Sequence, residues 1–183
     1  DNYQIDYIGT DSKEKKVKGK YYDKDIDITV SKNDKIIMCF GVKFVTSNYK
    51  QNSNNYFENM MGETANIQRI DIPYFHLIIL RYETPYYEKD GTKKKIEIIN
   101  EHDLKKYINL SYDIQQAHKP YSIGIELIDI NEELLTVNKI CTDDIFEKEF
   151  INLLKDKLSI DNLFKEVENF KNFYLINSDN QKD

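Results

Sequence analysis

The alternation of apolar and polar residues predicts a β-hairpin in the first quarter of the chain. Residues 25–30 alternate strictly between acidic or polar and apolar side chains, which is the pattern of a strand with one buried face. Residues 31–34 are turn formers, and residues 35–46 form a longer, mostly apolar run that predicts a buried second strand. Upstream, the polar residues 1–16 predict an irregular lead-in that becomes a strand near residues 17–22.

Helical and strand patterns alternate along the rest of the chain. Ser53 is a good N-cap residue for a helix that ends near Asn66. Further strands are predicted at residues 73–82, 93–99 and 121–130, and further helices at residues 101–109, 143–157 and 161–173. Residues 178–183 are expected to fray. The alternation, without internal repeats or a linker, predicts one α/β domain over residues 1–183, with a mixed central sheet flanked by helices.

The composition limits the classes of function. A chain of 183 residues is long enough for one domain with a proper core. Its net charge of −6 argues against nonspecific coating of nucleic acid, which needs a broad basic face, but not against a specific lysine-lined cleft. Cys39 and Cys141 lie in apolar surroundings without metal-ligand spacing, so we expect two reduced core thiols in a cytoplasmic protein. No apolar run approaches the roughly 20 residues of a membrane span, so no membrane partner is expected.

A lysine inside the second hairpin strand is the first sign of chemistry. Lys43 interrupts an apolar run, where an ammonium without a partner is costly to desolvate. Asp25 and Asp27 precede it, and Glu58 and Glu63 follow it. Carboxylates hold Mg²⁺, which polarises a phosphate and lowers the pKa of an attacking water, while a lysine orients that water and offsets the developing charge. These residue types therefore suggest metal-dependent cleavage of a phosphodiester.

The hairpin loop decides whether these groups share a face of the sheet. With a three-residue loop at residues 32–34, Asp25, Asp27, Gly41 and Lys43 all project to one side. A two-residue loop places Asp27 opposite to Lys43 unless a β-bulge intervenes. The sequence leaves both possibilities open.

This order of residues resembles the catalytic core of the PD-(D/E)XK nucleases. An acidic hairpin strand, a strand containing Gly41 and Lys43, and an Asn- and Gln-rich segment at residues 47–66 follow one another. More narrowly, the chain is similar to bacterial type II restriction endonucleases over about residues 20–130. The resemblance implies a restriction-endonuclease-like core, a Mg²⁺ cofactor, double-stranded DNA as the substrate and a homodimer.

The chain departs from the family pattern at Gly41, where an Asp or Glu is expected two residues before the lysine. Some restriction enzymes of this superfamily carry that carboxylate on the following helix instead. By this resemblance Asp27, or Asp25, and a helix glutamate hold the metal, and Lys43 positions the nucleophile. Glu58 is slightly favoured over Glu63 as the relocated ligand because it falls on the earlier turns of the helix.

Polar side chains around the start of this helix are candidate DNA-binding groups. Asn and Gln can bond an adenine edge bidentately. The candidates are Asn48, Lys50, Gln51, Asn52, Asn54 and Asn55, together with Lys119 on a later loop. An ordinary Asn-rich loop and helix cap explains the same pattern equally well. His76, in an apolar strand, is expected to be a satisfied core residue rather than a metal ligand.

The leading hypothesis is a Mg²⁺-dependent, sequence-specific DNA endonuclease of the restriction type. The alternative is a non-catalytic DNA- or protein-binding module in which Gly41 marks a lost metal site. A secreted adhesin-like protein is a third possibility that rests on composition alone.

Overall fold

The computed structural model describes residues 2–9 and 13–179, and it confirms the mixed α/β class with a central sheet flanked by helices. The strands are β1 (Tyr3–Tyr7), β2 (Lys15–Lys18), β3 (Asp23–Ile26), β4 (Ile28–Lys32), β5 (Lys35–Val45), β6 (Tyr74–Arg81), β7 (Glu83–Tyr87), β8 (Lys93–Ile98), β9 (Ile123–Asn131) and β10 (Thr136–Lys139). The helices are α1 (Tyr49–Gln68), α2 (Glu101–Tyr112), α3 (Lys148–Lys157) and α4 (Ile160–Asp179), with a 3₁₀ turn at Thr142–Asp144.

Six strands form one mixed sheet in the order β1-β4-β5-β6-β9-β10. The three central strands, β5, β6 and β9, run parallel to one another. β4 pairs antiparallel with β5, β10 with β9, and the edge strand β1 with β4. Parallel neighbours need a crossover connection, which α1 supplies between β5 and β6. Two further ribbons, β2–β3 and β7–β8, pair as separate two-stranded sheets.

Helices cover the sheet on both faces, so the central strands are almost wholly apolar. On one face, Ile78 and Leu80 of β6 belong to the core cluster that includes Tyr49 of α1. On the other face, Phe75 packs against Leu163 of α4. Burial on both faces explains why β6 reads as a continuous apolar run rather than an alternating one.

A tight turn and a bulge determine the register of the β4–β5 hairpin. Asn33 and Asp34 form a two-residue turn with φ angles of 49° and 65°, the conformation of the hairpin turns that match strand twist. The register shifts at the Val30–Ser31 step, where β5 carries one extra residue, Ile37. The structure therefore shows the even loop with an intervening bulge, the second of the two possibilities that the sequence leaves open.

Because of the bulge, Asp27 lies on the same face of the sheet as Lys43. Ile28 lies opposite Phe40, so the preceding residue, Asp27, lies beside Gly41. Side chains alternate along a strand, which places Lys43 on the same side of β5 as Gly41. This is also the side on which α1 packs, because Val45 joins the α1 cluster.

Several elements differ from the sequence-based prediction. The expected irregular lead-in, residues 1–16, contains β1, which pairs with the edge of β4. β7 and β10 were not predicted, because they are short and depend on strand partners distant in sequence. The expected frayed tail, residues 178–183, lies outside the described residues except where α4 continues to its end at Asp179.

Two local predictions also need correction. The helix after β5 begins at Tyr49 rather than after Ser53, because Asn48 adopts a left-handed conformation that ends the preceding loop. Cys39 is buried as expected, but Cys141 is exposed. No helix within the described ranges is long and apolar enough to cross a lipid bilayer.

The Asn48→Ala substitution tests how much Asn48 stabilises the start of α1. We expect Asn48→Ala to lower the free energy of unfolding by about 2–3 kcal/mol, because alanine is strained at a φ of 51° and two hydrogen bonds to the Tyr87 backbone are lost. The exposed Asn55→Ala, a matched control on the same helix, should change it by no more than about 0.5 kcal/mol. Urea denaturation measures both, and equal midpoints would contradict the account.

Candidate carboxylate site around Gly41

The backbone of Gly41 is closely covered by two side chains of β6. Gly41 pairs with His76, and a Cβ at position 41 would lie 2.5 Å from the Tyr74 hydroxyl oxygen and 2.8 Å from His76 Cε1. Both distances are shorter than real Cβ contacts allow. Tyr74 and His76 therefore occupy the space into which a side chain at position 41 would project, and an Asp or Glu there would force them to shift.

Glu63 brings a carboxylate to this place from α1. Its Oε2 accepts a hydrogen bond of 3.4 Å from the Tyr74 hydroxyl, and its Oε1 accepts one of 2.8 Å from Lys24 Nζ. The hydroxyl that excludes a side chain at position 41 is thus the same group that contacts Glu63. The Glu63 carboxylate thus lies at the edge of the space that an Asp or Glu at position 41 would occupy.

Asp27 supplies the second carboxylate from the opposite side of Gly41. It lies at the bend between β3 and β4, where it interrupts the strand predicted over residues 25–30. Its Oδ2 accepts a hydrogen bond of 2.6 Å from the backbone N–H of Val42. This bond ties the side chain to the central part of β5 and holds it close to Gly41.

The charges of both carboxylates, Glu63 and Asp27, affect the pKa values of Tyr74 and His76. Burial, followed by the negative charges of Glu63 and Asp27, raises the pKa of Tyr74 far above its usual value, so its hydroxyl stays protonated. Burial lowers the pKa of His76, against the opposing effects of its bond to the Gly41 carbonyl and the charges of Glu63 and Asp27.

His76 is a core residue with a specific partner. Its Nδ1 lies 2.7 Å from the Gly41 carbonyl oxygen, so Nδ1 carries the proton and donates it. That nitrogen is therefore not available as a metal ligand. The expectation that His76 is a satisfied core residue is confirmed.

Lys43 lies on the same face but extends along α1. The residue is exposed, and its Nζ lies 4.8 Å from the ring centroid of Tyr56. Tyr56 precedes Glu63 by two helical turns on the same side of α1. The positive charge of Lys43 still acts on His76, where it favours the neutral imidazole. The ammonium, at the end of a flexible stem, thus lies beside Tyr56, and among the described residues it forms no ion pair with Asp27 or Glu63.

Lys24, which the sequence analysis does not single out, completes the site. It lies on β3, and its half-buried ammonium forms the ion pair with Glu63. Burial alone lowers the pKa of Lys24, but the hydrogen bond and charge of Glu63, with the charge of Asp27, raise it overall. No sequence pattern indicates this contact, because β3 and α1 meet only in the folded chain.

Two other predicted ligands lie elsewhere. Glu58 is exposed on α1, where its charge acts on Lys106 of α2. Asp25 is exposed on β3, opposite Lys16 of β2. The structure thus places Glu63, rather than Glu58, beside Tyr74, and it places Asp27, rather than Asp25, beside Gly41.

Most of the predicted DNA-binding side chains have partners within the protein. Asn48 bonds both the N–H and the carbonyl of Tyr87, and Asn52 donates to the Asn48 carbonyl. The remaining contacts are Gln51 to Glu97, Lys50 to Asp103, Lys106 to Asn54, and Lys119 to the Asp113 carbonyl. Asn55 is exposed. The Asn-rich segment therefore builds the helix start and its contact with β7, which is the ordinary alternative.

Two carboxylates would suit only a metal ion that takes few ligands from the protein. Within the described residues no group of three His, Cys, Asp or Glu side chains could hold a metal ion. Mg²⁺, however, typically takes only one or two carboxylates from a protein and completes its shell with waters and substrate phosphate oxygens. Asp27 and Glu63 are two such carboxylates on either side of Gly41.

No protein-family model matches the chain, and searches of curated proteins and of solved structures find no match to it. Function must therefore be inferred from the side chains of the site. The fold brings together Asp27 and Glu63 from the sequence-based prediction, with Lys24 added. Lys43 lies on the same face, beside Tyr56.

Gly41 provides a stability test of the site. Gly41→Ala should lower the free energy of unfolding by about 1–3 kcal/mol, because the new methyl group clashes with Tyr74 and His76. Gly62→Ala is the matched control, since its Cβ meets open space in a helix, and should raise stability by about 0.5–1 kcal/mol.

The same substitution in a Tyr74→Phe background isolates the contact with the hydroxyl. Because the nearest atom is then gone, Gly41→Ala should cost less than in the wild type. An identical cost in both backgrounds, measured by urea denaturation, would show that the Tyr74 hydroxyl does not limit position 41.

Proposed function

We propose that the protein is a Mg²⁺-dependent DNA endonuclease of the restriction type, which hydrolyses phosphodiester bonds in double-stranded DNA. One observation carries the proposal. Asp27 and Glu63 converge on the two sides of Gly41, the place at which the strand carboxylate of a PD-(D/E)XK nuclease is missing from this sequence.

The contact of Tyr74 with Glu63 favours relocation of the carboxylate over simple loss. The side chain that fills the space at position 41 is itself bonded to a carboxylate of the following helix. Glu63 is then the relocated ligand that the resemblance implies, in preference to Glu58. The topology is consistent with this, because an antiparallel hairpin, a crossover helix and a parallel strand follow one another.

Each side chain has a distinct role in the proposed reaction. Asp27 and Glu63 would hold the metal, which supplies charge neutralisation at the phosphate and a lower pKa for the attacking water. Lys43, on its flexible stem, would swing from Tyr56 towards the phosphate and orient the water for in-line attack. Attack of water on phosphorus breaks the bond to the 3′ oxygen, which leaves with a proton. The products then carry 5′-phosphate and 3′-hydroxyl ends, as the resemblance implies.

The resemblance bears on the assembly of the proposed enzyme, and the cysteines bear on its compartment. Restriction enzymes of this type commonly act as homodimers on palindromic sites, so we propose a homodimer as the active form. A cytoplasmic enzyme would keep Cys39 and Cys141 as the free thiols seen in the structure.

A non-catalytic binding module is the second candidate, and the Lys24–Glu63 ion pair favours it. An ammonium 2.8 Å from Glu63 neutralises the carboxylate without a metal. If that pair is permanent, Glu63 is structural and the site holds no cation.

Cleavage assays separate the two candidates. Purified protein with Mg²⁺ should cut unmethylated plasmid and phage DNA into discrete fragments, and EDTA should abolish the cutting. Glu63→Gln should slow cleavage by at least about a hundredfold, because it removes a charge that stabilises the transition state. Glu58→Gln, the matched control five residues earlier on the same helix, should leave the rate unchanged.

The outcomes are distinct. Lys43→Ala should also lose cleavage while retaining DNA binding. Equal losses in Glu63→Gln and Glu58→Gln would refute the assignment of the site, and intact DNA with a persistent gel shift would establish the binding module instead.

A further inference from the structure

The β2–β3 ribbon, residues 15–26, carries a concentration of positive charge. It contains five lysines and two aspartates, in a chain whose net charge is −6. The ribbon pairs only with itself and is not part of the six-stranded sheet. A local excess of cations on an acidic protein indicates a surface that attracts a polyanion.

Three of the ribbon lysines are free to contact a ligand. Lys15 and Lys24 are paired, at 3.3 Å with Asp6 and at 2.8 Å with Glu63. Lys16, Lys18 and Lys20 are exposed, and within the described residues none of them lies within 4.0 Å of a carboxylate. Asp25 and Asp23 lie opposite Lys16 and Lys18 across the ribbon without forming an ion pair.

The turn of the ribbon presents aromatic rings between the lysines. Tyr21 and Tyr22 are 68% and 48% exposed. Tyrosine hydroxyls and lysine ammonium groups are both among the side-chain donors that bond phosphate oxygens at DNA-binding surfaces. The ribbon thus has both components of such a surface.

Asn66 holds this turn rigidly against the end of α1. Its Oδ1 accepts from the N–H groups of Tyr21 and Tyr22 at 2.8 and 3.3 Å, and its Nδ2 donates to the Tyr22 carbonyl at 3.0 Å. Its own carbonyl accepts from the Lys20 N–H at 2.9 Å. Gly19 permits the close approach, since a Cβ there would lie 2.1 Å from Asn66 Nδ2. A fixed turn binds a ligand without the entropic cost of ordering a loop.

The second ribbon, β7–β8, lies at the other end of α1 and has a different charge arrangement. Asn48, at the start of the helix, bonds Tyr87, whereas Asn66, near its end, bonds the β2–β3 turn. A helix of 20 residues is about 30 Å long. Lys94 and Lys95 of the second ribbon are paired with Glu88 and Glu97.

We infer that the β2–β3 ribbon is the surface that docks the DNA backbone, with Lys16, Lys18 and Lys20 contacting phosphates and directing a strand to Asp27 and Glu63. This inference rests on the proposed function and identifies the part of the protein that holds its substrate. The ion pair of Lys24 with Glu63 makes the ribbon continuous with the carboxylate site. The Asn-rich start of α1, predicted to read DNA, is occupied by internal hydrogen bonds and does not serve this purpose.

The salt dependence of DNA binding tests the inference without requiring cleavage. Binding of the full chain to a 30-base-pair duplex would be measured in EDTA at several salt concentrations. Each phosphate contact contributes about 0.9 to the slope of log affinity against log salt, so the Lys16→Gln, Lys18→Gln, Lys20→Gln triple variant should lose about 2–3 units of slope. The matched control, Lys93→Gln, Lys94→Gln, Lys95→Gln, removes the same charge from the far ribbon and should retain the wild-type slope.

The result distinguishes failure of the inference from failure of the proposed function. Equal slopes for the wild type and the first variant, or equal losses in both variants, would overturn the docking surface even if the enzyme cuts DNA. A selective loss in the first variant without any cleavage by the wild type would retain the surface and refute the nuclease. Absence of DNA binding by the wild type would refute both. Thermal melts confirm that the exposed substitutions leave the fold intact.

Discussion

The contact of Tyr74 and His76 with the bare backbone of Gly41 is the interaction on which the rest of the site depends. Because position 41 has no side chain, the Tyr74 hydroxyl can approach β5 and bond Glu63 of α1. His76 can turn its Nδ1–H to the Gly41 carbonyl. A larger residue at position 41 would force these rings to shift and would disturb the bond between Tyr74 and Glu63. The absence of a side chain at position 41 thus allows groups on β5, β6 and α1 to meet.

Helix α1 connects the site to the periphery through one asparagine near each end. Asn48 bonds both backbone groups of Tyr87, and Asn66 bonds both backbone groups of Tyr22. An Asn side chain has one donor group and one acceptor, so it can replace a strand partner for a single residue. The helix thereby orients two ribbons that the main sheet does not hold, and only one of them adjoins Glu63.

The strongly patterned elements were predictable, whereas those that depend on a distant partner were not. The sequence identifies β5, β6 and β8 nearly at their observed bounds, since each is a run of strand-forming residues between turn signals. It does not identify β1, whose residues are mostly exposed and which pairs with the edge of β4. The sequence leaves the bulge at Ile37 open, because the bulge depends on the combination of a two-residue turn with burial on both strands. Similarly, helical position slightly favours Glu58, whereas the contact with Tyr74 belongs to Glu63.

The sequence by itself determined the α/β class, the hairpin and the set of residue types from which a metal site can be built. Periodicity and residue chemistry are local properties, so they can be recognised without knowing which residues are in contact in the folded chain. Only the tertiary structure decided that Glu63 and not Glu58 meets Tyr74, that Lys24 joins them, and that the Asn-rich segment binds the protein itself. These are contacts between residues that lie 11 to 39 positions apart. Which groups meet across such separations depends on strand register and helix packing, which no single segment specifies.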